Sequence, residues 1–175
     1  MGSAAAFHLA RRGVKVLGLD RFAPPHTFGS SHGQTRIIRE AYFEHPVYVP
    51  MVQRAYALWD ELARESGQRI FLQTGGLMIG RPDSAVASGA KLSAKTHELP
   101  HEILSAKQIR ERFPALHPED DMVGVFEPRA GILFPEVCVS GHLDLARRHG
   151  ATLRFDEPAL RWEARPENVT VSPGL

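Results

Sequence analysis

Three groups of residues in this 175-residue chain have types and spacings that could do chemistry. The first is a glycine and an acid, Gly2 and Asp20, 18 positions apart and joined by a small-residue stretch and the apolar run Val14-Lys-Val-Leu-Gly-Leu19. In a dinucleotide-binding βαβ unit the last glycine of the fingerprint lets a helix pack closely on the sheet, and an acid about 20 residues on takes a ribose hydroxyl. A helix and strand ending in aspartate also occur in many α/β proteins. The second group is Gly29-Ser-Ser-His-Gly33. Its glycines permit close approach, and its hydroxyls and backbone N–H groups suit a phosphate or a ring edge; the plainer reading is a surface loop with an incidental histidine. The third is the pair Arg36 and Arg39 in Thr35-Arg-Ile-Ile-Arg39. A guanidinium fork clamps a carboxylate through two parallel hydrogen bonds, although solvated charge is the common explanation of such residues. Two positions three apart share one side of a helix and lie on opposite sides of a strand.

Positioning these groups requires particular elements. The small residues predict a helix over 4–12, broken at Gly13, and a strand over 14–19 that delivers Asp20 at its end. Paired prolines, glycines and serines predict a loop over 22–33, and the β-branched 35–39 run a short strand. Val49, Val52, Tyr56, Trp59 and Leu62 recur at helical spacing, so an amphipathic helix runs from Tyr48 to near Gly67. Residues 70–80 predict one strand broken by Gly75-Gly76. Helices are expected over 84–97 and 105–113, the second opened by a serine cap ahead of Gln108. Strands follow over 123–127 and 131–134, joined through Pro128-Arg-Ala130, then a helix over 135–148 ended by Gly150 and strand patterns over 152–155 and 160–171. Gly2 would stand where a βαβ unit has already begun, with no strand and no earlier glycines before it. At the other end Asn168-Val-Thr-Val171 would be a lone strand, followed by a turn over 172–175 with nothing returning from it. A lone strand leaves an unpaired hydrogen-bonding edge. The expectation is that sequence is missing at both ends.

Composition excludes several classes. The chain is 43% hydrophobic and 23% charged, with a formal net charge of +1 and its Lys and Arg scattered, which argues against a nucleic-acid or anionic-membrane partner. One cysteine, Cys138, allows no internal disulfide framework and is too few for a structural zinc site, so no metal is expected and a reducing compartment is. Arg11, Arg12 and Lys15 interrupt any signal-peptide core, and no run reaches the roughly 18 apolar residues of a membrane span. The expected location is cytoplasmic.

Taken in order, the three groups resemble one family. Gly2-Ser-Ala-Ala, Asp20-Arg-Phe-Ala-Pro-Pro-His26, Gly29-Ser-Ser-His-Gly-Gln-Thr-Arg-Ile-Ile-Arg-Glu-Ala-Tyr42 and Tyr48-Val-Pro50 are similar to the monomeric sarcosine oxidase and N-methyltryptophan oxidase group of flavoprotein amine oxidases, in the D-amino acid oxidase superfamily. The resemblance continues through Thr74-Gly-Gly-Leu-Met-Ile-Gly80, Phe126-Glu-Pro-Arg-Ala-Gly131 and residues 135–155, and so covers essentially the whole chain.

The resemblance implies an α/β fold, an incomplete FAD-binding Rossmann-like domain with part of an α+β substrate domain inserted, its first strand and C-terminal half missing. Residues 1–70 would be the first part of the FAD-binding domain, 71–132 the first part of the substrate domain, and 133–175 a return segment of the FAD-binding domain. FAD would be the cofactor. Gly2 would be the last fingerprint glycine, Asp20 the ribose acid, and Ser30, Ser31 and His32 the loop along the flavin. Arg36 would pack near the ring, Ile37 would give backbone contacts, and Ala159 would touch the adenine side. Arg39 would hold a substrate carboxylate and His32 would lie close to the amine, which makes His32, Arg36 and Arg39 the implied catalytic set. The family carries a second histidine where this chain has Ser31. The implied reaction is oxidation of the C–N bond of an N-methyl amino acid by oxygen, giving hydrogen peroxide and formaldehyde, in a full-length protein that is monomeric. The flavin-tethering cysteine and two active-site lysines belong to the family's C-terminal half, and Cys138 is better read as a buried thiol within a helix. The chain alone is expected to bind FAD weakly or not at all and to be inactive. A related FAD-dependent amino acid oxidase or dehydrogenase with another substrate is the alternative.

Overall fold

A computed structural model of the chain describes residues 1–167 and 169–174. It is an α/β fold that divides into two compact units. Unit 1 comprises Met1–Thr35, Glu61–Ile70 and the residues from Phe134 onward; unit 2 comprises Arg36–Asp60 and Phe71–Leu133. The expected division placed residues 36–60 with residues 1–35; by its contacts this segment lies in unit 2.

In unit 1, helix α1 (Gly2–Arg11) packs against helix α5 (Pro135–Arg148) beside a parallel strand pair, β1 (Leu17–Leu19) and β8 (Thr152–Arg154). Phe7, Ala10, Leu145 and Ala146 are buried, and removing this apolar surface from water stabilises the unit. Pro135 opens α5 from its first turn, where its missing N–H costs nothing. The strand expected over 14–19 shortens to β1 because the Val14 N–H turns back to the Leu9 carbonyl at the end of α1. Gly18 in β1 allows the close approach of β8: a Cβ there would lie 2.7 Å from Leu153 Cδ2. Strands β9 (Ala159–Ala164) and β10 (Val169–Pro173) form an antiparallel ribbon. The final strand is therefore not alone, since Ser172 and Pro173, expected in a turn, pair with Arg161 and Ala159. Asn168 and Leu175, assigned to that strand and turn from the sequence, lie outside the described residues.

Unit 2 holds two three-stranded antiparallel sheets. One has the order β2 (Arg36–Ile38), β7 (Gly131–Leu133), β3 (Phe71–Gln73); the other β4 (Gly76–Gly80), β6 (Val123–Glu127), β5 (Glu102–Ser105). The single broken strand expected over 70–80 is thus two strands in two sheets, and 123–134 divides in the same way. Gly75, at φ 72°, makes the switch, and its N–H and that of Thr74 both donate to the Ala130 carbonyl. A side chain at Gly75 would meet the Phe126 ring at 2.6 Å. Helix α2 (Val49–Ser66) follows a 3-10 turn at Pro46–Tyr48, and helices α3 (Ala85–Thr96) and α4 (Ala106–Arg112) cover the second sheet. Ser84 caps α3, and Ser105 with Gln108 forms a reciprocal capping box on α4. The core divides into Ala41, Val49, Ala94 and Leu99 around Met78, and Leu104, Ile109 and Phe126 around Leu77, Ile79 and Phe113. Among the described residues no helix is long and apolar enough to cross a membrane.

Candidate functional site

The N-terminus of α1 and the C-terminal end of β1 open on one cleft of about 260 Å3 within unit 1. Gly2, Ser3 and Ala6 line it from the helix, Gly18, Leu19 and Asp20 from the strand, Val139 and Leu143 from α5, and Leu153 and Phe155 from β8 and beyond it. The loop after β1 adds Pro24, Pro25, His26, Gly29 and Ser31. Among the described residues no side chain caps α1, and its first turn carries no acid, so its leading N–H groups and positive dipole end are available to an anion. A Cβ built on Gly2 meets nothing within 4 Å. The close helix-on-sheet contact expected of Gly2 is therefore absent among the described residues, and Gly2 instead leaves open space at the mouth of the helix. Asp20 is half-buried; its Oδ1 accepts the Phe22 N–H at 2.9 Å and lies 3.3 Å from His26 Nε2. An uncapped helix end facing an acid at a strand end is a donor and acceptor set that fits the pyrophosphate and ribose of a dinucleotide.

The loop of residues 29–33 is anchored at both ends. The His32 Nδ1–H donates to the Gly29 carbonyl, and the Gly33 N–H donates to Glu136 Oε1 in the first turn of α5 at 3.1 Å. Gly33 has φ 106°, which a side chain would resist. Ser30, Ser31 and His32 are exposed, and of the three only Ser31 lines the cleft.

Unit 2 holds Arg36, Ile37 and Arg39. Arg36 and Ile37 are exposed on β2, with Ile37 75% accessible and in register with Ile132. Arg39 follows the strand and is more enclosed. Its guanidinium lies 4.7 Å from the Tyr42 ring centroid and 5.0 Å from that of Phe43, its Nη2 is 3.3 Å from Glu44 Oε2, and its buried Nε has no hydrogen-bond partner among the described residues. Immediately behind it, the buried Glu127 carboxylate accepts the Glu40 N–H at 2.7 Å and the Ala41 N–H at 2.8 Å. Glu40 is equally buried, yet neither of its oxygens accepts a hydrogen bond among the described residues; its Oε2 is 3.4 Å from Arg129 Nε. Burial pushes the Glu40 carboxyl up, Arg129 opposes this, and Glu127 adds to it. The Tyr56 hydroxyl donates to the carbonyls of Ile38 and Arg129, and burial raises its pKa.

Gly2, Asp20 and Ser31 thus come together in unit 1. His32 and Ser30 lie on the same loop as Ser31, Ala159 lies exposed on β9 opposite Pro173, and Arg36, Ile37 and Arg39 belong to unit 2. Sequence reasoning assigned no role to His26 or Glu127. Both stood within quoted motifs, His26 in Asp20-Arg-Phe-Ala-Pro-Pro-His26 and Glu127 in Phe126-Glu-Pro-Arg-Ala-Gly131, and Glu127 is also an acid ending an apolar strand. Cys138 is buried, and desolvation raises its thiol pKa to about 11, which leaves it unreactive. Among the described residues no group of three His, Cys, Asp or Glu could hold a metal.

The family model for FAD dependent oxidoreductases, DAO, matches residues 1–174. The chain is 51% identical to a monomeric sarcosine oxidase of Streptomyces avermitilis over 98% of its own length and 44% of that protein's. It is 38% identical to an N-methyl-L-tryptophan oxidase of Yersinia pestis over 98% of the chain and 46% of the relative. Among solved structures it resembles NikD, described as an unusual amino acid oxidase essential for nikkomycin biosynthesis, at 25% identity and a TM-score of 0.87, over 98% of the chain and 44% of NikD. The chain therefore spans less than half the length of the relatives it matches.

Proposed function

The chain belongs to the DAO family of FAD-dependent oxidoreductases, and from that membership we propose that the whole protein is an amine oxidase acting on the C–N bond of N-methyl amino acids such as sarcosine or N-methyltryptophan. The observation that carries this reading is the cleft of unit 1, where the uncapped start of α1 faces Asp20. Unit 1 is the FAD-binding part in this reading, and residues 71–132 contribute to the substrate domain.

When bound, FAD would supply the redox chemistry, a two-electron oxidation at the carbon beside nitrogen with oxygen as the acceptor reduced to hydrogen peroxide. The α1 N–H groups at Gly2 and Ser3 would hold the pyrophosphate, and Asp20 would accept hydrogen bonds from the ribose. Ser30, Ser31, His32, Arg36 and Ile37 would serve the flavin, and Ala159 would serve the adenine side. Arg39 clamps the substrate carboxylate. Its fork is now half engaged by the exposed Glu44, and its unpaired Nε has donor capacity to spare for a carboxylate that displaces Glu44. His32, whose Nδ1–H donates to the Gly29 carbonyl, would lie close to the substrate amine. The imine formed on the substrate hydrolyses in water to the amino acid and formaldehyde.

The test is peroxide release by the FAD-loaded full-length protein. Sarcosine or N-methyltryptophan should support it, and glycine and proline should not. Arg39→Ala should raise KM for the carboxylate-bearing amine about 10- to 100-fold, as expected for a lost charge-assisted contact. The resemblance to NikD favours a second reading, an amino acid oxidase with a different substrate. Peroxide from a cyclic amino acid, with none from either N-methyl compound, would establish it in place of the first.

A further inference from the structure

His26 has no part in the reading above, yet it is built into the same cleft. The Phe28 N–H donates to His26 Nδ1 at 3.3 Å, so in the neutral ring the proton sits on Nε2. That nitrogen lies 3.3 Å from Asp20 Oδ1, which also accepts the Phe22 N–H. Rings brace the arrangement: Phe22 and Phe28 stack with centroids 4.2 Å apart, and Phe22 meets the His26 ring edge-on at 5.3 Å. One oxygen of Asp20 therefore has two protein neighbours, while Oδ2 has none among the described residues. Both residues line the cleft beside Gly2 and Ser3. A carboxylate fixed through one oxygen loses its side-chain rotation before a ligand arrives, and its other oxygen is presented to a hydroxyl without that entropic cost.

We propose that His26 is a positioning residue for nucleotide recognition, locking Asp20 through Oδ1 so that Oδ2 accepts hydrogen bonds from the ribose hydroxyls of an adenine nucleotide. This rests on the nucleotide-binding reading of the cleft, and its test separates the two. The 175-residue chain is titrated with ADP and with 2′,3′-dideoxy-ADP, following backbone amide shifts by NMR, which resolves millimolar affinities. The wild-type chain should prefer ADP by about tenfold, the size expected of a hydrogen bond to a charged group. His26→Phe keeps the ring against Phe22 and Phe28 without the donor and should reduce the preference to about two- to threefold. His26→Gln restores a donor and should recover most of it. Asp20→Asn should remove it, and adding His26→Phe to that background should change nothing further. A native amide spectrum shows that each variant folds, and His26→Ala replaces His26→Phe if the phenylalanine is not accommodated. Full preference in a folded donor-less variant would overturn the role of His26 while leaving the nucleotide site standing. No ADP binding by the wild-type chain would overturn both.

Discussion

Glu127 gives both carboxylate oxygens to the main chain that follows Arg39, accepting consecutive N–H groups at 2.7 and 2.8 Å in a buried setting. Two donors held by one acid fix the direction in which β2 ends, and so the direction from which Arg39 leaves it. Glu127→Gln keeps the volume but turns an amide NH2 toward one of those N–H groups. Denaturant unfolding should show a loss of about 1–3 kcal/mol, the cost of leaving a buried donor unpaired. Glu40 is the contrast. It is as buried as Glu127 but accepts no hydrogen bond, and the half-exposed Arg129 is its one cationic neighbour among the described residues. At this scale the sequence was partly legible. Asp20 stands at the end of its strand beside the start of α1, as its spacing from Gly2 implied, because that spacing reflects the fixed rise of a helix and strand. Glu127 and His26 were not legible, because their work is done by contacts with residues 86 and 6 positions away whose geometry no local pattern encodes.

Helices were the most readable elements, since α2, α3 and α5 carry apolar periodicity with a serine or proline start, and α2 and α5 are followed by a glycine. Strands were less so. β5 has only Leu104 buried and gives no alternation to read, and the sheet switch at Gly75 depends on Ala130, in a segment far along the chain. The α1–α5 contact also carries a titratable group. His142 is 6% exposed and faces the Phe7 ring at 5.8 Å and the His8 ring at 6.2 Å, with His149 also against Phe7. Desolvation pushes its pKa down to about 4; a hydrogen bond with the Cys138 backbone opposes this, and His8 and the N-terminal amine add to it. Because the folded value lies below the unfolded one, near 6.5, the unfolded chain binds the extra proton between these limits. Stability from burying the neutral ring is complete above pH 6.5 and is lost as pH falls toward 4. The loss should total about 3–4 kcal/mol, since each tenfold weakening of proton binding on folding is worth about 1.4 kcal/mol. Unfolding of wild type and His142→Leu compared at about pH 7 and about pH 4.5, on either side of most of that loss, checks this. The wild type should lose more stability on acidification, and equal losses would exclude the histidine.

At the scale of the whole molecule, the cleft lined by Gly2 and Asp20 belongs to unit 1, and Arg39 with the buried Glu40 and Glu127 to unit 2. Chain order is no guide to this division, because unit 1 is assembled from three separated segments. The sequence resemblance reached the family because the run from Gly29 to Arg39 spans the passage from one unit to the other, where a motif is more specific than any single spacing. The central claim is that the cleft of unit 1 receives the nucleotide portion of FAD. Its most direct measurement is an NMR titration of the chain with FAD, carried to millimolar concentration and repeated with Asp20→Ala. The predicted result is saturable binding, with amide shifts concentrated at Gly2, Ser3, Asp20, His26 and Ser31, weakened about tenfold by the substitution. Shifts centred elsewhere, no binding at all, or an affinity indifferent to Asp20 would contradict it.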